Sequence, residues 1–202
     1  MKAHSFIYLI IYSCFIMSVS LQAQEHFADR YNVSYITMDD GLPHNFIDDI
    51  YKDTRGFLWI STAGGGLSRY DGYEFIHFNP NTPHSKLKSN FIHNVYEDRF
   101  HRLWIVSEGG TDIIDLSTLQ SVIPNDPKGL LPRFINHPTY IVILDSQGCI
   151  WLQCDNALHR ITFDAEGGID TLSTLDLPEQ DEPDLILKDI DEDGKIWTGI
   201  NG

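Results

Sequence analysis

All four tryptophans of the chain fall on one period. Trp59, Trp104, Trp151 and Trp197 lie 45, 47 and 46 residues apart, and each follows an aspartate by six positions: Asp53, Asp98, Asp145 and Asp191. A fixed period of that length marks a fold built from repeated supersecondary units. Displaced by 45, residues 45–65 coincide with 90–110 at ten of 21 positions: Asn45, Phe46, Ile47, Tyr51, Asp53, Leu58, Trp59, Ile60, Gly64 and Gly65. The later copies keep only a skeleton, Asp145-Ser-Gln-Gly148-Cys-Ile-Trp151 and Asp191-Glu-Asp-Gly194-Lys-Ile-Trp197.

Each unit reads as four strands. In the first, Phe46, Ile47 and Ile50 mark a short apolar strand that runs into Asp53-Thr54-Arg55-Gly56. There aspartate caps a tight turn through its side chain and glycine accepts a positive φ. Phe57-Leu58-Trp59-Ile60 returns beside it, Gly64-Gly65-Gly66 turns into Leu67 to Asp71, and Gly72 leads into the alternating run Tyr73 to Phe78. Four antiparallel strands in roughly 45 residues make one blade of a β-propeller, and no amphipathic stretch of helical length competes after residue 24. The expected fold is therefore all-β, an incomplete β-propeller of about four blades, with repeats at 41–85, 86–132, 133–180 and a truncated 181–202. Asp53, Gly56, Trp59, Asp98, Trp104, Asp145, Gly148, Trp151, Asp191, Gly194 and Trp197 are its structural repeat positions. Trp, Leu and Ile of the second strand would fill the space between adjacent blades. The second unit carries His101 where the turn glycine belongs. Histidine enters the left-handed region only at a cost, so that turn is expected to change type or bulge.

The N-terminus differs from the rest. Lys2 and His4 precede the apolar run Phe6 to Val19, and Ser18 to Ala23 is small or polar. This is the layout of a secretory signal peptide, with cleavage expected after Ala23. The run is shorter than the roughly 20 apolar residues a membrane-spanning helix needs. Residues 24–40 would form a lead-in, with Tyr31 to Met38 as the lone outer strand that closes a ring in complete propellers. The formal net charge is −15. Such a surface repels phosphate backbones and anionic membranes, which excludes nucleic acid as the expected partner. Cys14 leaves with the signal. Cys149 and Cys154, five apart on one strand, point to opposite faces and are expected to be buried thiols without a local disulfide.

Catalytic signatures are missing: the sequence has no Gly-x-Ser-x-Gly elbow, no His-Glu-x-x-His, no Cys-x-x-Cys and no phosphate-cradling glycine loop. No catalytic residue, cofactor or metal ligand is assigned. His26, His44, His77, His84, His93, His101, His137 and His159 lie without ligand spacing. Asp189-Ile-Asp191-Glu-Asp193-Gly194 matches the start of a calcium loop, but Ile200 stands where a bidentate Glu is needed, and an acidic β-turn is the expected reading. The cluster Glu179 to Asp184 reads as a solvated loop.

Gly41-Leu42-Pro43-His44-Asn45, Ile50 to Thr62 and Gly66-Leu67-Ser68-Arg69-Tyr70-Asp71-Gly72 resemble the two-component regulator propeller repeat. The resemblance is strong from about residue 30 to 116 and thins to the Asp-Gly-Trp skeleton beyond. It implies the periplasmic sensor half of a hybrid two-component system of the kind found in gut-type Bacteroidetes. Such a receptor recognises glycan breakdown products, and its ligand sits around the propeller surfaces. In that family, two propellers and a β-sandwich precede a membrane helix, a histidine kinase and DNA-binding parts. The chain ends within the second strand of its fourth repeat, and a truncated reading frame or fragment of a longer receptor is the expectation. The implied partners are an oligosaccharide and the parent's remaining blades, and the implied location is extracytoplasmic in an inner-membrane-anchored parent. Two other readings stay open. One is a propeller-scaffold enzyme of lyase or glycosidase type, with the interval of six arguing against sialidase boxes, which use five; the other is a surface scaffold that binds proteins.

Overall fold

A computed structural model describes residues 33–83, 86–133, 135–154, 156–177 and 185–200. The expected signal peptide and its cleavage site, Tyr31, His26, His84 and the acidic stretch Glu179 to Asp184 lie outside the described residues.

The strands follow in chain order: β1 (Ile47–Lys52), β2 (Leu58–Thr62), β3 (Gly66–Tyr70), β4 (Phe75–Phe78), β5 (Ile92–Glu97), β6 (Arg102–Ser107), β7 (Gly110–Asp115), β8 (Gln120–Ser121), β9 (Thr139–Leu144), β10 (Ile150–Cys154), β11 (Ala157–Phe163), β12 (Ile169–Asp176), β13 (Leu185–Ile190) and β14 (Ile196–Ile200). Each pairs antiparallel with its chain neighbour. This yields three four-stranded sheets, β1–β4, β5–β8 and β9–β12, and the pair β13–β14. The chain is all-β with the local architecture of propeller blades. Among the described residues, no helix is long and apolar enough to cross a membrane.

The sheets pack face to face through three cores, and the two-residue period of a strand divides its side chains between them. In β6, where every residue is buried, Leu103 and Ile105 join Trp59, Leu67 and Phe78 of the first sheet, while Trp104 and Val106 join Val142, Ile150, Leu152 and Phe163 of the third. Trp151 packs in turn on Leu187 and Ile190 of the fourth. Trp59, Trp104 and Trp151 are thus each housed against the sheet that follows their own. Trp59 and Trp104 are fully buried, whereas Trp197, with no later sheet among the described residues, is 49% exposed.

The hairpin turns repeat closely. The N–H of Gly56, Gly148 and Gly194 donates to the carbonyl of Asp53, Asp145 and Asp191, and each glycine has a positive φ, 94°, 77° and 78°. His101 corrects the sequence reading: the turn neither changes type nor bulges. His101 takes φ 57° and donates to the Asp98 carbonyl at 3.1 Å, as the glycines do. The imidazole Nδ1, 2.8 Å from Oε1 of buried Glu97, fastens the residue in that conformation. A further turn of this kind joins β11 to β12, where Asp164 Oδ1 accepts from the N–H groups of Glu166 and Gly168.

The turn after the second strand also departs from the alignment by sequence. Thr62 pairs with Gly66, but Ser107 pairs with Gly110. Gly66 and not Gly65 is therefore the counterpart of Gly110, and the first blade holds one extra residue in its turn.

Residues 33–36, the described end of the unit 1–36, have no regular structure. From Thr37 onward the chain enters the 3-10 turn Met38–Asp40, in which Thr37 Oγ1 accepts from Asp39 N–H and Asp40 Oδ2 accepts from Thr37 N–H. The described part of the expected closing strand is therefore not a strand. A strand needs a neighbour for its peptide groups, and here Thr37 and Asp40 satisfy each other locally instead.

Candidate ligand-binding rim on the inner strands

The aspartates of the repeat do two things at once. Oδ1 of Asp53 accepts from the N–H groups of Arg55 and Phe57, and Oδ2 accepts from the indole Nε1 of Trp59 at 2.9 Å. Asp98 holds Phe100, Arg102 and, at 2.8 Å, Trp104 in the same way; Asp145 holds Gln147, Cys149 and Trp151, and Asp191 holds Asp193, Lys195 and Trp197. A buried indole N–H requires an acceptor, and the turn carboxylate supplies it. Arg102 adds a charged bond to Asp98 at 2.7 Å and donates onward to the Gly167 carbonyl of the third sheet. Burial works to raise the Asp145 pKa, but the Trp151 indole, the Cys149 N–H and Arg160 outweigh it and hold the carboxyl below its ordinary value. At all four copies the aspartate is thereby bonded to its own tryptophan. Both oxygens of Asp191 are engaged, which gives the acidic stretch around it the hydrogen bonds of a β-turn.

Cys149 and Cys154 are buried thiols, and Cys154 Sγ lies 3.2 Å from Thr139 Oγ1. Burial, with Asp145 nearby, pushes the Cys149 thiol up.

The inner strands β1, β5, β9 and β13 each form one edge of a sheet, and neighbours among them are in contact. Side chains tie them across the seams. Asp49 Oδ2 accepts from Asn94 Nδ2 and Val95 N–H, both at 3.1 Å, Asn94 Oδ1 accepts from Val142 N–H at 2.9 Å, and Gln153 Oε1 accepts from Leu187 N–H at 2.8 Å. Burial raises the Asp49 pKa against those bonds. At the turn end of the first seam, Glu97 accepts from Thr54 N–H and Thr54 Oγ1, each at 2.7 Å.

At the opposite end β1, β5 and β9 each carry one residue too many for the ladder, and β13 carries one nearer its turn. The register slips between Ile47 and Asp49, between Ile92 and Asn94, between Thr139 and Ile141, and between Leu187 and Asp189. The extra residues are Asp48, His93, Tyr140 and Lys188. A bulge re-aims a side chain and breaks the pairing locally, which is why bulges gather at binding rims. Asp48, His93 and Tyr140 stand at the same repeat position, eleven residues before their tryptophans, and Lys188 stands two positions further along. His93 and Tyr140 meet across a seam with ring centroids 5.6 Å apart. The adjoining Phe46 and Phe91 are 63% and 50% exposed. Sequence reasoning placed His93 among scattered loop histidines and passed over Asp48, Tyr140 and Lys188. They share a backbone defect and no common chemistry, so no residue-type pattern marks them.

Comparison with known proteins places this geometry. Residues 41–64 and 86–109 match the family described as two component regulator propeller. No curated protein matches the chain. Among solved structures, the extracellular domain of the hybrid two component system BT4673 from B. thetaiotaomicron is 25% identical with a TM-score of 0.54, over 80% of this chain and 22% of that one. The corresponding domain of BT3049 from the same organism is 19% identical with a TM-score of 0.55, over 83% of this chain and 29% of that one. Virginiamycin B lyase from Staphylococcus aureus is 15% identical with a TM-score of 0.51, over 77% of this chain and 49% of that one. The chain spans about a fifth to a half of these structures' lengths, and the latter two likenesses concern the fold alone.

Proposed function

We infer that this chain, whose first two blades carry the two-component regulator propeller repeat, is a ligand-sensing segment of the extracytoplasmic part of a hybrid two-component receptor, and that it responds to glycan breakdown products. The observation that carries the reading is the repeat itself: 41–64 and 86–109 match the family and hold the first two strands of each of the first two sheets, with the links into them. The likeness to an extracellular domain of such a system supports the location and the sensor role.

In this reading, residues 1–23 direct export, the receptor is anchored in the inner membrane, and phosphotransfer belongs to its other parts. The chain contributes binding and not catalysis. Its partners are an oligosaccharide and further blades of the receptor, and a net charge of −15 weighs against nucleic acid. The likeness to virginiamycin B lyase carries no argument for lyase chemistry.

Titration calorimetry of the chain with xylo-, gluco- and manno-oligosaccharides and with oligogalacturonates tests the glycan reading. Saturable binding of one class supports it, and no heat from any of them overturns it. Fusing the chain to a phosphatase that is active only outside the cytoplasm tests export separately.

A further inference from the structure

The bulges of the first two blades sit beside polar atoms that the fold leaves without partners. Nε2 of His93, Oδ1 of Asn90 and Oγ1 of Thr62 are all buried and have no hydrogen-bond partner among the described residues. Such atoms are costly to leave unmade and call for a bound group. They belong to one locality. Gly66 N–H donates to the Asn90 carbonyl at 3.0 Å, a Cβ on Gly64 would lie 3.7 Å from the Phe91 ring, and Thr62 opens that same turn. His93 follows Phe91 by two residues and faces Tyr140, which is 42% exposed.

Aromatic rings beside unpaired donors and acceptors suit a ligand with an apolar face and several hydroxyls. The rings cover its C–H bonds, while the polar atoms and the Asp48 carboxylate take its hydroxyls. Charge narrows the class. The bulged positions hold one carboxylate, Asp48, and one ammonium, Lys188, on a chain of net charge −15, and that field disfavours an anionic ligand.

We propose that Phe91, His93 and Tyr140, at the seams of the first three blades, form a subsite for a neutral saccharide ring. The proposal rests on the glycan-sensing reading and specifies where the sugar binds and that uronic-acid oligomers are excluded.

The test is calorimetry on the full chain with the same neutral oligosaccharides and oligogalacturonates, using Tyr140→Ala, Phe91→Ala and Tyr140→Phe, with Tyr73→Ala as a control at the opposite, turn-bearing end. Tryptophan fluorescence checks that each variant is folded. The expected result is binding of a neutral oligosaccharide, weakened about tenfold by Tyr140→Ala and by Phe91→Ala, as for one good ring contact. Tyr140→Phe keeps the ring and should lose less, and Tyr73→Ala should lose nothing. Unchanged affinity in both alanine variants overturns the subsite while leaving glycan sensing intact. Oligogalacturonate binding as tight as that of the neutral sugars overturns the charge argument and the proposal. Absence of binding by the unaltered chain overturns the subsite together with the reading on which it rests.

Discussion

The indole Nε1 of Trp104 donates to Oδ2 of Asp98 at 2.8 Å, and the same carboxylate, through Oδ1, accepts the two N–H groups that shape the turn before that tryptophan. One buried side chain thus fixes both the hairpin and the largest residue of the next core.

Replacing Asp98 by Asn sets an amide NH2 against either the indole or the turn N–H groups and removes the partner of Arg102. We expect a loss of about 3–5 kcal/mol, the cost of breaking a buried charged pair, measured by urea denaturation. Asp191→Asn, at the exposed copy of the motif, should cost far less, because solvent screens it. Equal losses at the two positions would contradict the role assigned to burial.

His101 bears its left-handed φ through the bond to Glu97. His101→Gly removes the strain and leaves Glu97 bound to Thr54, whereas His101→Ala keeps the strain and loses the bond. The glycine variant should be the more stable of the two by about 1 kcal/mol. The difference in thermal midpoint between the variants reads this out.

Asp145 and Asp49 should respond to acid with opposite sign. The Asp145 pKa is depressed below 3.8 in the fold, so its contribution is present above 3.8 and is lost as pH falls through the folded value. The advantage of the native chain over Asp145→Asn should therefore shrink in acid. The Asp49 pKa is raised by burial, so the charged form is disfavoured in the fold and stability falls as pH rises from 3.8 through the folded value. The Asp49→Asn variant should therefore gain on the native chain as pH rises. Denaturation midpoints of the three proteins against pH check both signs.

Cys149 and Cys154 are buried, and thiol reagents act on exposed thiolates. Labelling of these two residues in the folded chain should be slow and should become complete in denaturant. Rapid labelling of either without unfolding would contradict the packing.

The period was legible because three of its residues meet demands that few others can. Trp fills a seam, Asp accepts from a turn, and Gly takes the positive φ. The bond between Asp and Trp was not legible, since a spacing of six says nothing of where the indole points until both hairpin strands are placed. Asp49 and Asn94 count as a mismatch in the 45-residue alignment, yet each reaches a backbone N–H of the next blade, because either side chain offers an oxygen. The turn at Asp164 escaped because no tryptophan follows it at six. His101 was misjudged because the cost of its backbone was visible in the sequence, but the Glu97 that offsets it was not paired with it.

The lodging of Trp59, Trp104 and Trp151 against the sheet after their own has a bearing on how such chains change over time. A blade is finished by its successor, so the joint between Trp59 and the second sheet is of the same make as that between Trp104 and the third. A gene segment of one period, inserted or removed anywhere along the array, restores the same joint on either side of the splice. Loss of a fraction of a period would leave a tryptophan facing the wrong partner. Whole-period changes are thus the steps open to this architecture, and the number of blades can drift while the seam stays constant.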